Sequence, residues 1–395
     1  MPGIHPLPVT RGDHQALAEA LAAVPDPRRR RGIRHPFIPL LSAAVCAMLC
    51  GARSFAAITE WVADLSGPAR ASLALTEVTP AGTTLWRLLV AIDVTALQAA
   101  VGSWLRTRLE QRPVRQAPGR RRRRVLALDG KAMRATLHGS DPVHLPAVLD
   151  HATSVVLAQV NVDVKTNEIP CFRTVLDQIG DLGGVVITAG AMHAQTGHIE
   201  YLRGRGAHLL VCVKGNQPSL LARLKALPWK DVPAGHASTG RAHGRIEKRT
   251  LKVVTVAESA GGLGFPAAAQ AIQLVRRTRP ITPRPGKKAR WHTETVYAIV
   301  TLPAGQASPA DLATWIRQHW HIENRLHRVR DVTLGEDLHQ ARTGNGPQVL
   351  AVMRNLILSL LRLGGYDNIA AALRHHARHP EQAIAMLTST ITTLQ

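Results

Sequence analysis

The chain has 395 residues, 45% of them hydrophobic and 4% aromatic, and its 49 Lys+Arg against 27 Asp+Glu give a net charge of +22. That length suits two or three domains with a large core, and the excess of cations attracts polyanions, nucleic acid first among them. The scarcity of aromatics argues against base stacking along a single strand and leaves phosphate-backbone contact with duplex as the better fit. The composition also excludes a disulfide scaffold and a membrane span. Cys46, Cys50, Cys171 and Cys212 each sit in apolar context and form no C-x-x-C pair, so they read as core residues of a reducing compartment. No signal peptide opens the sequence, and the longest apolar run, Phe37–Ala52, is interrupted by Pro39. The expectation is a soluble, cytoplasmic, nucleoid-associated protein with no membrane partner.

Residues 1–118 read as a helical domain. Ala16–Val24 is amphipathic and stops at Pro25-Asp26-Pro27; the basic run Arg28–Arg31 follows. A buried helix spans about Pro39 to Cys50, Ser54 caps the next through Trp61, and Thr83 or Thr84 caps a third, followed by Val94–Leu109. Gln111–Arg124 is a Pro- and Arg-rich linker in which Arg121, Arg122 and Arg123 offer an electrostatic footing for a phosphate backbone.

From Val125 the pattern changes to strands. Val125–Leu128 ends in Asp129-Gly130-Lys131; Leu145–Asp150 and Ser154–Val164 are further strands, and Ile169–Ile179 is helical. Gly183–Thr188 is a strand, His193–Arg203 a helix, and His208–Val213 a strand closed by Lys214-Gly215-Asn216-Gln217. This order specifies a mixed α/β sheet. Residues 218–308 form a mostly β insertion, with short runs at Thr250–Val256, Ala271–Val275 and Thr293–Thr301. A polar loop at Gly335–Gly346 leads to the apolar helix Val349–Leu363, and 366–395 is a helical tail whose three histidines read as helix-end residues rather than metal ligands.

Between insertion and loop lies LATWIRQHWHIENRLHRVRD, residues 312–331. As a helix it places Leu312, Ile316, His319, Glu323, Leu326 and Arg330 on one face. A carboxylate on an otherwise apolar face costs several kcal/mol unless paired or metal-bound. A Glu–Arg ion pair on a solvated helix satisfies that requirement, as does an active-site acid. Asp129, at a strand end, is the natural second acid. Two neighbouring acids repel unless a divalent cation lies between them, and hard oxygen ligands favour Mg²⁺ or Mn²⁺ over Zn²⁺.

Six segments then carry a family resemblance: ALDGKAMR (127–134), VDVKTNEIP (162–170), VVITAGAMHAQ (185–195), VCVKGNQ (211–217), HGRIEKR (243–249) and HWHIENRLHRVRDVTLGED (319–337). Together with PDPRRRRGIRHPF and CGARSFAAITEW upstream, they make the chain resemble a DDE transposase of a bacterial insertion sequence, in the branch that includes the H-repeat-associated proteins. The resemblance implies a ribonuclease H-like catalytic domain over 119–365, interrupted by the β-rich insertion. It implies that Asp129 and Glu323 are the first and third acids of a two-metal site using Mg²⁺ or Mn²⁺. The implied reaction is hydrolysis at the ends of the element, freeing a 3′-hydroxyl that attacks target DNA. The implied partner is duplex DNA, both terminal inverted repeats and target, bound by a homodimer. Lys214, Asn216 and Gln217 are expected on the DNA side of the site, and His243 and Arg245 against phosphate. Lys131, His319, Trp320, Asn324, His327 and Arg330 are expected to contact DNA around the acids.

One departure matters. Where the family has Ala-Asp-Ala after the VVIT strand, this chain has Ala189-Gly190-Ala191, so the second acid is missing. Asp181 precedes that strand, and the strand's six or seven residues at about 3.3 Å each place it about 20 Å away, at the wrong end. Glu200 lies two turns into the next helix, and sequence leaves Asp150 and Asp163 unplaced. The two-metal site is therefore expected to be compromised. Two readings follow, an insertion-sequence transposase with impaired catalysis and an inactive DNA-binding derivative acting as repressor or dominant-negative subunit. A zinc hydrolase using His319, Glu323 and His327 lacks the H-E-x-x-H order and is disfavoured.

Overall fold

A computed structural model of the chain describes residues 17–29, 31, 33–110, 123–133, 143–161, 168–256, 262–282 and 288–388. The expected contacts at Arg121 and Arg122, and the position of Asp163, lie outside these residues. The chain divides into two units, one drawn from 1–120, 130–179 and 322–395, the other from 121–129 and 180–321.

The first unit is mostly helical. Helices α1 (Leu17–Leu21), α2 (Phe37–Leu49), α3 (Phe55–Ala63), α4 (Gly67–Ser72), α5 (Gly82–Ala91) and α6 (Val94–Glu110) precede a strand β1 (Val125–Met133). Apolar residues surround α2, so it is an interior helix. Its Leu40, Leu41 and Leu49 are fully buried, each worth about 1.5–3 kcal/mol. Ser54 caps α3 as expected, accepting a hydrogen bond from the Ala57 amide at 3.1 Å. The expected threonine cap on α5 is absent: the N-cap position falls on Ala81, which makes no side-chain bond. Strands β2 (Val143–Asp150) and β3 (Val156–Gln159) pair antiparallel, followed by α7 (Glu168–Asp177). The Asp150 carboxylate shapes the β2–β3 turn, accepting from the Ala152 amide at 3.0 Å and from the Thr153 amide and hydroxyl at 2.9 Å. That answers where this acid goes. Near the chain's end, α11 (Gly346–Leu363) packs on α2, α5, α6 and β3, with α12 (Ile369–Arg378) and α13 (Pro380–Thr388) after it.

The second unit is built on a mixed sheet. Its elements after β1 are β4 (Val186–Ala189), α8 (Thr196–Gly204), β5 (His208–Val213), α9 (Pro218–Ala226), β6 (His236–Ala242), β7 (Arg245–Thr255), β8 (Gln270–Pro280), β9 (His292–Val300) and α10 (Pro309–His319). Strands run in the order β1-β4-β5-β9-β8-β7-β6. The first three are parallel, and every later pairing is antiparallel. The core includes Val186, Leu210, Ile272 and Val300 packed with Leu312 and Ile316 of α10, so the apolar part of the expected stripe faces a core. The fold is thus the expected mixed α/β class, with a large mixed sheet, flanking helices and a helical N-terminal region.

Three local readings change. β1 does not stop before Asp129 but continues to Met133, so Asp129-Gly130-Lys131 is strand rather than turn. The insertion contributes four strands, not three short runs, because the polar β6 pairs along its length with β7. The helix carrying Glu323 changes form: α10 ends at His319, and Ile322–His327 and Val329–Thr333 are π-helical. Among the described residues no single helix is long and apolar enough to cross a membrane.

Candidate active site

The carboxyl end of β4 lies beside the middle of β1. Their parallel register pairs Val125 with Val186 and Leu128 with Ala189, so one further step brings Asp129 level with Gly190. Val125–Leu128 are buried, and Asp129 emerges half-buried where the apolar run ends. Gly190 adopts an ordinary extended conformation (φ −64°, ψ 162°). A Cβ added there would meet nothing within 4 Å. Neither backbone nor space requires glycine, and a carboxylate would fit.

Neighbouring side chains brace this edge. Thr188 Oγ1 lies 3.1 Å from His319 Nδ1, joining β4 to the end of α10. His193, just past Gly190, is fully buried, and burial together with the fields of His198 and His319 pushes it down to about 3. Asn216 and Gln217 donate at 2.8 Å to the carbonyls of Ala191 and Ala194. Their amides thus brace the 190–194 loop, a use that their expected place beside DNA did not include.

Glu323 sits on the first π-helical segment. Residues four apart on a helical segment lie on one face of it. Glu323 Oε2 accordingly lies 3.2 Å from His327 Nδ1. The Glu323 side chain is 52% exposed whereas His327 is buried. The acid therefore does not point into the core as a uniform 3.6-residue repeat would have it. The α-to-π change shifts the phase, and the buried set becomes Ile322, Leu326, His327 and Arg330. The His327 hydrogen bond, helped by the charges of His327 and Lys131, holds the Glu323 carboxyl below its usual range against the opposing effect of burial.

Behind Glu323 lies a buried charge network. Arg330 is fully buried and grips Glu336 with two bonds, Nε to Oε2 at 2.9 Å and Nη2 to Oε1 at 2.7 Å. Its Nη1 reaches Gln159 at 3.1 Å and Asn355 at 3.2 Å. Arg354 adds a contact to Glu336 at 3.2 Å. Burial alone would raise the Glu336 carboxyl, but Arg330 and Arg354 bring it down to about 2. Lys131, two residues beyond Asp129 on β1, is also buried, with Nζ 2.5 Å from Asp331 and 3.3 Å from both Glu336 and Asp337. Lys131 and Arg330 were expected to touch DNA; their charges are committed inside the protein, against carboxylates.

His327, expected against DNA and weighed in sequence as a zinc ligand with His319, instead pairs with Glu323. Its spacing of four from Glu323 was the available signal.

A family model described as a transposase DDE domain matches residues 120–360, and one described as DDE_Tnp_1-associated matches 18–105. The chain belongs to the DDE transposase family. Relatives of this transposase include an H repeat-associated putative transposase, YhhI, of Escherichia coli K12, 25% identical over 87% of this chain and 90% of that protein. An uncharacterized protein in the dhlA 3′ region of Xanthobacter autotrophicus is 31% identical over 58% of this chain and 77% of that one. A piggyBac transposase in a synaptic complex with hairpin DNA aligns with 93% of this chain and 81% of its own, at 9% identity and a TM-score of 0.40, too low to bear on the fold. Membership of this enzyme family implies divalent-metal use.

The remaining expected DNA contacts of the transposase are distributed as follows. Lys214, His243, Arg245 and Asn324 are exposed, and Trp320 is 62% exposed. His243 and Gly244 both have positive φ, 50° and 69°, and form the tip of the β6–β7 hairpin. Arg123 is turned to its own unit, donating to Gly184 O at 2.7 Å and Gln306 at 2.8 Å. Asp181 accepts from the Gly183 amide at 2.8 Å, a turn role, and Glu200 is exposed on α8.

Proposed function

We propose that this chain is an insertion-sequence transposase that binds duplex DNA at the terminal inverted repeats of its element, as a homodimer, with a strand-cleaving centre impaired at position 190. The observation that supports the reading is the β1–β4 register, which sets Gly190, just past the end of β4, level with Asp129. Acids at that pair of positions would share metal ions, and one is missing.

The remaining donors, two carboxylates and an imidazole, suit a divalent cation, and the imidazole favours Mn²⁺ over Mg²⁺. Asp129 and Glu323 are the residues that the family resemblance would have hold it, with His327 beside Glu323. Such an ion, when bound, activates an attacking oxygen and neutralises charge on the phosphodiester. His327 keeps Glu323 ionised and oriented, and Lys131 ties β1 to the segment that bears Glu323. A pair of ions about 3.5–4 Å apart needs more bridging carboxylate than this set contains.

The same observation favours a second reading for the chain as written, a non-cleaving protein that occupies the element's ends as repressor or enters mixed dimers as a dominant-negative subunit. The test is cleavage of DNA carrying the terminal repeats, with Mg²⁺ or Mn²⁺. The expected result is binding without cleavage by the unmodified chain and recovered cleavage by Gly190→Asp. Efficient cleavage by the unmodified chain overturns the impairment, and absence of binding overturns the DNA assignment.

A further inference from the structure

The antiparallel strands β6–β9 separate their charges by face. Side chains two apart on a strand share a face, and the register identifies partners on it. One face carries Glu247 and Glu294, the only acids in the sequences of these four strands, and Arg249 and Arg276 on it are paired with them. Arg249 Nε lies 2.6 Å and Arg276 Nε 2.8 Å from Glu247, and Arg276 Nη1 lies 3.6 Å from Glu294.

The opposite face has cations and no strand acid. Lys248 stands directly across from Arg277, and Arg241 and Arg279 both stand across from Ile246. Like charges in directly opposed cross-strand positions destabilise a sheet. Here they gather on Trp291, which lies just before β9: Arg277 and Arg279 are each 5.2 Å and Lys248 is 5.6 Å from the ring centroid. Stacking on the indole fixes the guanidinium planes and lowers the entropy lost when they meet a phosphate. With three cations on it, the ring serves as their platform and is not available as a stacking surface for a base.

We infer that this face of the insertion, Arg241, Lys248, Arg277 and Arg279 around Trp291, is a phosphate-backbone contact surface for duplex DNA. The inference rests on the proposed function; Lys248 lies within the HGRIEKR segment, whereas Arg241, Arg277, Arg279 and Trp291 lie outside all six family segments. Exposed Arg241, Lys248 and Arg277 are presented on rigid strands, and the spacing between strands of about 4.8 Å is short enough for neighbouring cations to reach successive phosphates.

The test is fluorescence anisotropy with a duplex of about 30 base pairs across a salt series. Replacing Lys248, Arg277 and Arg279 together by Gln is expected to weaken binding about tenfold or more and to reduce the slope of log K against log salt by about 2–3. A control removes the same charge from exposed positions elsewhere in the same unit, Arg203, Lys225 and Lys230, and is expected to leave the slope within about 1 of the parent. A second variant, Thr293→Glu, places a carboxylate opposite Arg277 in register. It is expected to weaken binding while holding or raising the melting temperature, so a fold defect cannot imitate the result. Unchanged binding in both face variants, or an equal loss in the control, overturns this surface while leaving the proposed function standing. A parent chain that binds no duplex at low salt overturns both.

Discussion

Lys131 Nζ lies 2.5 Å from Asp331 Oδ1. That ion pair joins the strand bearing Asp129 to the helical segment that follows Glu323 and His327. Lys131 is the cation shared by Asp331, Glu336 and Asp337. Replacing it by Gln leaves buried carboxylate uncompensated, and burial already raises the Asp331 carboxyl. The expected loss is about 2–3 kcal/mol, below the about 3–5 of a fully buried pair because water still screens Asp331 and Asp337. Urea unfolding checks it, and Lys131→Gln with Asp331→Asn in one chain should recover part of the loss.

Acid should destabilise the protein in two stages. His193 falls from 6.5 to about 3 and Glu336 from 4.5 to about 2 on folding. Both folded values are depressed, so the unfolded chain binds more protons and stability falls with pH. The His193 contribution is complete above about 6.5 and is lost toward pH 3, and that of Glu336 is complete above about 4.5 and is lost toward pH 2. Melting temperatures from pH 7 to 3 should decline throughout. Glu336→Gln should cost about 3–5 kcal/mol at neutral pH and flatten the lower part of the curve. A parent curve flat across that range would reject both assignments.

Gly190→Asp should fold normally. The position has ordinary backbone angles and open space, so metal-free stability should change by no more than about 1 kcal/mol. Affinity for Mn²⁺, measured by calorimetry, should rise roughly 10–100-fold. Unaltered affinity would remove residue 190 from the metal site.

His327→Gln should release the Glu323 carboxyl toward its ordinary range, since the His327 hydrogen bond is the main influence lowering it. A ¹³C titration of the Glu323 carboxyl reads the upward shift directly. Mn²⁺ affinity should fall roughly tenfold if the imidazole is also a ligand.

Much of this was legible in sequence where chemistry is local. The β5 strand, the α2 core helix and the Ser54 cap follow from apolar runs and capping residues. The pairing of Asp129 with Glu323 in one site rests on the resemblance and is a proposal. The α-to-π change at Ile322 was not legible, because no residue type there marks it. Strand β6 was missed because its side chains are nearly all exposed, and β7 rather than an apolar alternation defines it. Lys131 and Arg330 look from sequence like any cation near a DNA site. Their burial depends on Glu336, Asp331 and Asn355, and for Lys131 those partners lie some two hundred residues downstream in the chain.

The open space at Gly190 has a genetic consequence. Every glycine codon becomes an aspartate or glutamate codon by one change at its second base. Because an added Cβ there meets nothing within 4 Å, folding is expected to place no barrier in front of that change. A lineage carrying this sequence is therefore one transition away from an acid at residue 190, and under the proposed function cleavage would be gained at the rate of a point mutation rather than at the rate of a repair of the fold.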